Sequence, residues 1–224
     1  LAGELMDYAP DVRFCEVVIN GEYRGVYVMM ETVSTGKGRI EIEKPNKTRN
    51  VTGYIVELDN DTQPDPLSEA KNFTKYTQIL RKNAFFDIRY PKNEALTLPL
   101  KDYIERDLSR FEKALYSFDY DTQRYGYKNF IDVDEFVDYF ILMEVFVQHD
   151  TGNLSTFFYK DVNGKFKPVV WDFNNSLGNV SESSDDDYLI RQFVSVQAPW
   201  FTMLIKDEDF IHQVIYRYRQ LRAG

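Results

Sequence analysis

Cysteine and histidine are almost absent from this 224-residue chain. The lone Cys15 excludes an internal disulfide and a Cys-based zinc centre. The two histidines, His149 and His212, lie too far apart for a helical HxxxH pair and are too few for a His-rich metal site. No apolar run reaches the roughly eighteen residues of a membrane-spanning helix. Positive charge is in the minority: 27 Lys and Arg stand against 36 Asp and Glu, for a net charge of −9. A nucleic acid or an anionic membrane needs a basic face, so neither is expected as a partner. GxSxG, HExxH, GxxxxGK[ST] and GxGxxG are all missing, and Gly36-Lys37-Gly38 reads as a flexible basic turn. Seven Asn-x-Ser/Thr sequons occur, as chance provides in a chain rich in Asn and Thr. What remains is ample for a globular core, with 43% hydrophobic and 16% aromatic residues. The chain opens on Leu1 and reads as a piece of something longer.

The pattern along the chain predicts an α+β fold. RFCEVVI and YRGVYVMM flank Asn20-Gly21, a dipeptide that accepts the positive φ values of a type I′ hairpin turn. Further strands are expected at Arg39–Glu43, at Gly53–Asp59 and near Phe85–Tyr90, with a Pro-rich excursion over 60–71. The period then changes from two to 3.6. Leu100, Ile104, Leu108, Phe111 and Leu115 mark one helix after Thr97. A second begins at Asp132 and is apolar nearly all round, which predicts a buried central helix. Two β runs, Thr156–Lys160 and Lys165–Trp171, follow with Asn163-Gly164 between them. An acidic loop (SESSDDD, 181–187) reads as solvated. A final helix is expected from about Asp207 to Arg222. These features predict a small antiparallel sheet over about residues 12–60, packed on a mainly helical part.

The chemistry concentrates in VQHDTGNLSTFFYKDVNGKFKPVVWDFNNSLG (147–178). A buried helix ends at His149 and Asp150, with Asn153 and Ser155 close behind, and a hairpin then delivers Asp172 after Trp171. An isolated Asp after a strand is as often a turn former. The order helix, acidic loop, hairpin, acid-Phe resembles that of protein kinases. There one aspartate accepts a hydroxyl proton, a residue five positions on ligates metal, and a second aspartate holds the cation that bridges phosphates.

INGEYRGVYVMMETV (19–33), GYIVELD (53–59), HDTGNLSTFFYKD (149–161), PVVWDFNNSLGN (168–179) and the ending from APWF (198–201) to RYRQLR (217–222) are together similar to the spore coat protein H (CotH) kinase family. The resemblance implies an atypical protein-kinase-like fold, with an incomplete sheet lobe (1–62) over a mainly helical lobe (63–224). It implies ATP- and Mg²⁺- or Mn²⁺-dependent phosphorylation of Ser or Thr on a protein substrate, with Asp150 catalytic and Asp172 binding metal. Ser155 stands where protein kinases carry a metal-binding Asn, and Asn153 is an alternative ligand. Met30, Glu31 and Val33 fall where a hinge would meet adenine, Glu57 is a candidate to face the nucleotide, and Glu4 is a candidate helix acid. Trp171 reads as a packing residue that holds Asp172, and His149 as an orienting group. The phosphate-gripping lysine and nucleotide-covering strands would lie upstream of Leu1. The resemblance also implies a spore-coat or cell-surface setting. A non-catalytic surface or scaffold module on the same fold is the competing expectation, and a carbohydrate-binding module, suggested by the many Tyr and Trp residues, is the third.

Overall fold

The computed structural model describes residues 1–59, 65–73, 85–148, 150, 152, 154–179 and 198–223. The expected acidic loop at 181–187 lies outside them. In chain order the described strands are β1 (Val12–Ile19), β2 (Glu22–Met30), β3 (Tyr54–Asp59), β4 (Glu69–Ala70), β5 (Phe85–Tyr90), β6 (Thr156–Lys160) and β7 (Lys167–Val169). The described α-helices are α1 (Ala2–Leu5), α2 (Leu98–Leu115), α3 (Val133–Val145), α4 (Phe201–Leu204) and α5 (Glu208–Ala223). The fold is α+β with antiparallel strand pairs, as the periodicities predict.

Asn20 and Gly21 take φ values of 53° and 82° and close β1 onto β2 with Ile19 facing Glu22, the hairpin expected at that dipeptide. The two strands form a ribbon of their own. β3 belongs instead to a five-stranded sheet ordered β4-β5-β3-β6-β7. This corrects the expectation of one small sheet over residues 12–60. β3 pairs with β5 and β6, both of which follow residue 63 in the chain. The reason lies in β3 itself. Tyr54 to Leu58 are all buried, and only a central strand covered on both faces can hide five consecutive residues. The run Arg39–Glu43 is likewise no strand. Gly36 and Gly38 turn the chain, Thr35 bridges Ile40, and the Asp161 carboxylate accepts the Glu43 N–H at 2.7 Å.

One face of the large sheet carries Tyr54, Val56, Leu58, Phe86, Ile88 and Phe158 into the main core, where α2 and α3 pack. Trp200 lies at its centre, with ring centroids 4.6 Å from Phe111 and 4.7 Å from Phe158, and its indole N–H donates to the buried Glu112 carboxylate at 3.0 Å. The opposite face carries Ile55, Phe157, Tyr159 and Val169 into a smaller cluster with Tyr8 and Ile40, flanked by Val33, Ile42, Tyr90 and Trp171. The ribbon, in contrast, exposes apolar residues of both strands, among them Phe14, Val26 and Met29.

α3 starts at Asp132, whose carboxylate accepts the Glu135 N–H, and it is buried from Glu135 to Met143. Two carboxylates go inside with it. Asp138 receives both arms of the Arg217 guanidinium, at 2.7 and 2.9 Å, which pins α5 to α3. Glu135 accepts the Asp7 N–H at 2.9 Å, while its other oxygen is buried without a hydrogen bond from any described residue. A third buried pair links Lys160 at the end of β6 to Asp107 on α2 at 2.6 Å, where the Tyr54 hydroxyl also donates at 2.9 Å.

Two outcomes are expected. Lys160→Met should cost about 3 kcal/mol in urea unfolding, because it strands the Asp107 carboxylate, and a paired Asp107→Leu should return most of that loss. Burial pushes the Glu135 carboxyl from 4.5 up to about 7, its hydrogen bond from Asp7 opposing. Folding therefore favours the protonated form, and Glu135's contribution to stability is full below pH 4.5 and is lost as pH rises to about 7. Glu135→Gln should flatten that part of the stability–pH curve and raise the thermal midpoint at pH 8.

Candidate active site

The end of α3 builds the first wall of the site. The Gln148 N–H donates to the Met143 carbonyl at 2.9 Å and the Val147 N–H to Glu144 at 3.3 Å, a Schellman closure with Val147 in the left-handed region at φ 51°. Glycine is the usual residue there; a β-branched one is strained. The pattern is general. Of the seven non-glycine residues with positive φ among those described, three are Asn, which tolerates this conformation. The other four are Val147, Ser155, Asp172 and Leu177, all within the 147–178 segment.

The Leu154 N–H donates to the Asp150 carbonyl at 2.8 Å, and the Gly152 N–H to the Thr156 hydroxyl at 2.9 Å. Gly152 has φ 66°, and a Cβ on it would sit 2.5 Å from the Ala198 Cβ. β6 and β7 then carry the chain back, and Trp171 packs edge-on against Phe157 with centroids 5.7 Å apart. Asp172 follows at φ 51°, ψ 72° and opens a single 3-10 turn, Phe173–Asn175. That turn folds onto the end of α3. Phe173 meets Phe146 at 5.5 Å with perpendicular rings, and the Leu177 N–H donates to the Phe146 carbonyl at 2.8 Å.

Asp150 and Asp172 are thereby brought to one place. The Gln148 carboxamide accepts the Asp150 N–H at 3.2 Å and donates to the Asp172 carbonyl. The Asn175 amide donates to Asp150 Oδ2 at 3.0 Å. Both aspartates are half-buried, and no hydrogen bond or ion pair from a described residue engages the Asp172 carboxylate. A half-exposed, unengaged carboxylate suits a hard cation that takes its remaining ligands from phosphate and water, as Mg²⁺ does. No group of three or more His, Cys, Asp or Glu among the described residues could hold a metal by itself.

The other candidates are placed as follows. Ser155 lies just before β6 at φ 45°, with no hydrogen bond to either aspartate among the described residues. Asn153 and His149 lie outside the described residues. Met30 ends β2, is exposed and pairs with Val12. The Glu31 N–H donates to the Asp11 carbonyl at 2.9 Å, and its carboxylate pairs with Arg39 at 3.3 Å. Val33 reaches the smaller cluster that Trp171 also joins. Glu57 is in the middle strand and pairs with Arg89, which also holds Asp87 at 3.0 Å. Burial raises the Glu57 pKa, and Arg89 partly offsets it. Glu4 is exposed, beside the terminal amine. Gln148 and Asn175 have no place in the sequence reading, although both flank its key residues in QHD and WDFNN; a neutral carboxamide carries no charge or spacing that marks it.

The family model described as CotH kinase protein matches residues 1–224. No curated protein matches the chain. Gly152→Ala should lower stability by about 1–3 kcal/mol, since it imposes both a strained φ and a clash with Ala198. Thermal unfolding checks this.

Proposed function

From a chain that belongs to the CotH kinase family, we propose a protein kinase that transfers the γ-phosphoryl group of ATP to serine or threonine hydroxyls of a protein substrate. The convergence of the Asp150 and Asp172 backbones on the Gln148 carboxamide is the observation that carries this reading.

In the proposed reaction Asp150 is the base. Asn175 occupies its Oδ2, which leaves Oδ1 to take the proton of the attacking hydroxyl. The hydroxyl oxygen forms the new bond to the γ-phosphorus, the bond from that phosphorus to the β,γ-bridging oxygen breaks, and ADP leaves with the bond pair. Asp172 would hold Mg²⁺ or Mn²⁺, with Ser155 and Asn153 as further candidate ligands. When bound, that cation supplies neutralisation of phosphate charge that a chain of net charge −9 does not otherwise favour. The adenine seat is proposed along Met30, Glu31 and Val33. Val33 and Trp171 share one apolar cluster, which supports a nucleotide lying between that segment and the β6–β7 hairpin. Glu57, held by Arg89, would act behind that surface rather than on the ligand. In this reading the β1–β2 ribbon belongs to the nucleotide-covering lobe of a kinase-like, two-lobed arrangement.

The test uses the full-length protein and labelled ATP. Asp150→Ala should retain Mg²⁺-dependent nucleotide binding and lose about 10²-fold or more in kcat. Asp172→Ala should lose the metal-dependent binding itself. Transfer that survives Asp150→Ala would overturn the assignment of the base. Wild-type protein that binds no nucleotide would give first place to a non-catalytic binding module, for which the exposed apolar ribbon would be the contact surface.

A further inference from the structure

Gln148 is 2% exposed, yet it is neither in the core cluster nor charged. Its carboxamide lies between two backbone groups 22 residues apart in sequence, the Asp150 N–H and the Asp172 carbonyl. The chemistry of those groups fixes its orientation. A backbone N–H can only donate and a carbonyl can only accept, so oxygen must face Asp150 and nitrogen must face Asp172. Of the side chains that can accept and donate at once, Asn is one methylene too short to span the same gap, and Glu in its ionised form can only accept.

Three more contacts run in parallel with this link: Asn175 to the Asp150 carboxylate, the Leu177 N–H to the Phe146 carbonyl, and Phe173 against Phe146. Each joins residues 146–150 to residues 172–177. Among these contacts the one through Gln148 alone reaches the backbone of both aspartates. Asp172 sits at φ 51°, in the left-handed region that Asp, like Asn, adopts more readily than most residues.

We infer that Gln148 is a positioning residue that locks the Asp150 loop and the Asp172 loop into one unit, so that the base and the cation-binding carboxylate keep a fixed separation. This deepens the kinase reading and rests on it for the kinetic consequence, but the locking itself is a property of the chain alone.

Two variants of the full-length protein test it. Gln148→Met keeps the length and removes the hydrogen bonds to Asp150 and Asp172; Gln148→Glu keeps the acceptor for Asp150 and loses the donor to Asp172. Amide hydrogen exchange needs no activity. Gln148→Met should speed exchange in both 146–150 and 172–177 by at least about tenfold, with α2 and α5 unchanged. Gln148→Glu should speed only 172–177, and as the closer isostere it serves if the Met variant does not fold. In turnover, both should lower kcat at least about tenfold, with KM for the protein substrate within about twofold. Exchange that spreads over the whole chain, or that leaves 172–177 unaffected in both variants, would overturn the inference, as would an unchanged kcat. Wild-type protein without any phosphoryl transfer would overturn the proposed function instead, and exchange would still decide the coupling.

Discussion

Helix α3 is buried on nearly every side, and its sequence takes carboxylates into the interior with it. A buried carboxylate must find a partner or stay protonated, and this constraint organises much of the molecule. Asp138 draws in Arg217, which fixes the C-terminal helix α5 across the back of α3. Glu135 draws in the backbone of Asp7, which fixes the segment after α1. Lys167 of β7 adds to the same corner through Asp7 and Asp132. Elements more than 120 residues apart in sequence are thus tied to one helix, and the C-terminal end of that helix sets the direction in which Gln148 and Asp150 leave it.

Much of this was legible from residue patterns. Asn20-Gly21 gave a hairpin because both residues accept positive φ, and the 3.6-residue periods gave α2, α3 and α5 close to their observed bounds. The pattern misled where alternation suggested a strand at Arg39–Glu43. There Ile40 and Ile42 do alternate inward, but onto the side of the smaller cluster, with Asp161 holding the backbone in place of a ladder partner. The membership of β3 was also hidden. Its continuous burial reflects neighbours that come from residues 85–90 and 156–160, and no local period encodes which strand will lie beside it.

The site divides in the same way. Asp150 and Asp172 stood out because acids beside a helix end and after a hairpin are conspicuous. Gln148 and Asn175 did not, since each acts on a residue or backbone group only present after the hairpin has closed. The backbone tells a matching story. Strained residues gather at Val147, Ser155 and Leu177, where local preference and final conformation disagree, and the surrounding packing decides.

The chain has two tryptophans, and they occupy opposite environments. Trp200 is almost wholly buried among Phe86, Phe111 and Phe158, whereas Trp171 is half-exposed one residue before Asp172. The protein therefore carries a built-in pair of optical probes. Emission collected on the long-wavelength side of the band, where the wetter indole contributes more, follows events beside Asp172. The near-ultraviolet dichroism of the rigid indole follows the core. A perturbation confined to the site and one that melts the fold would differ in colour before either was measured by any other means.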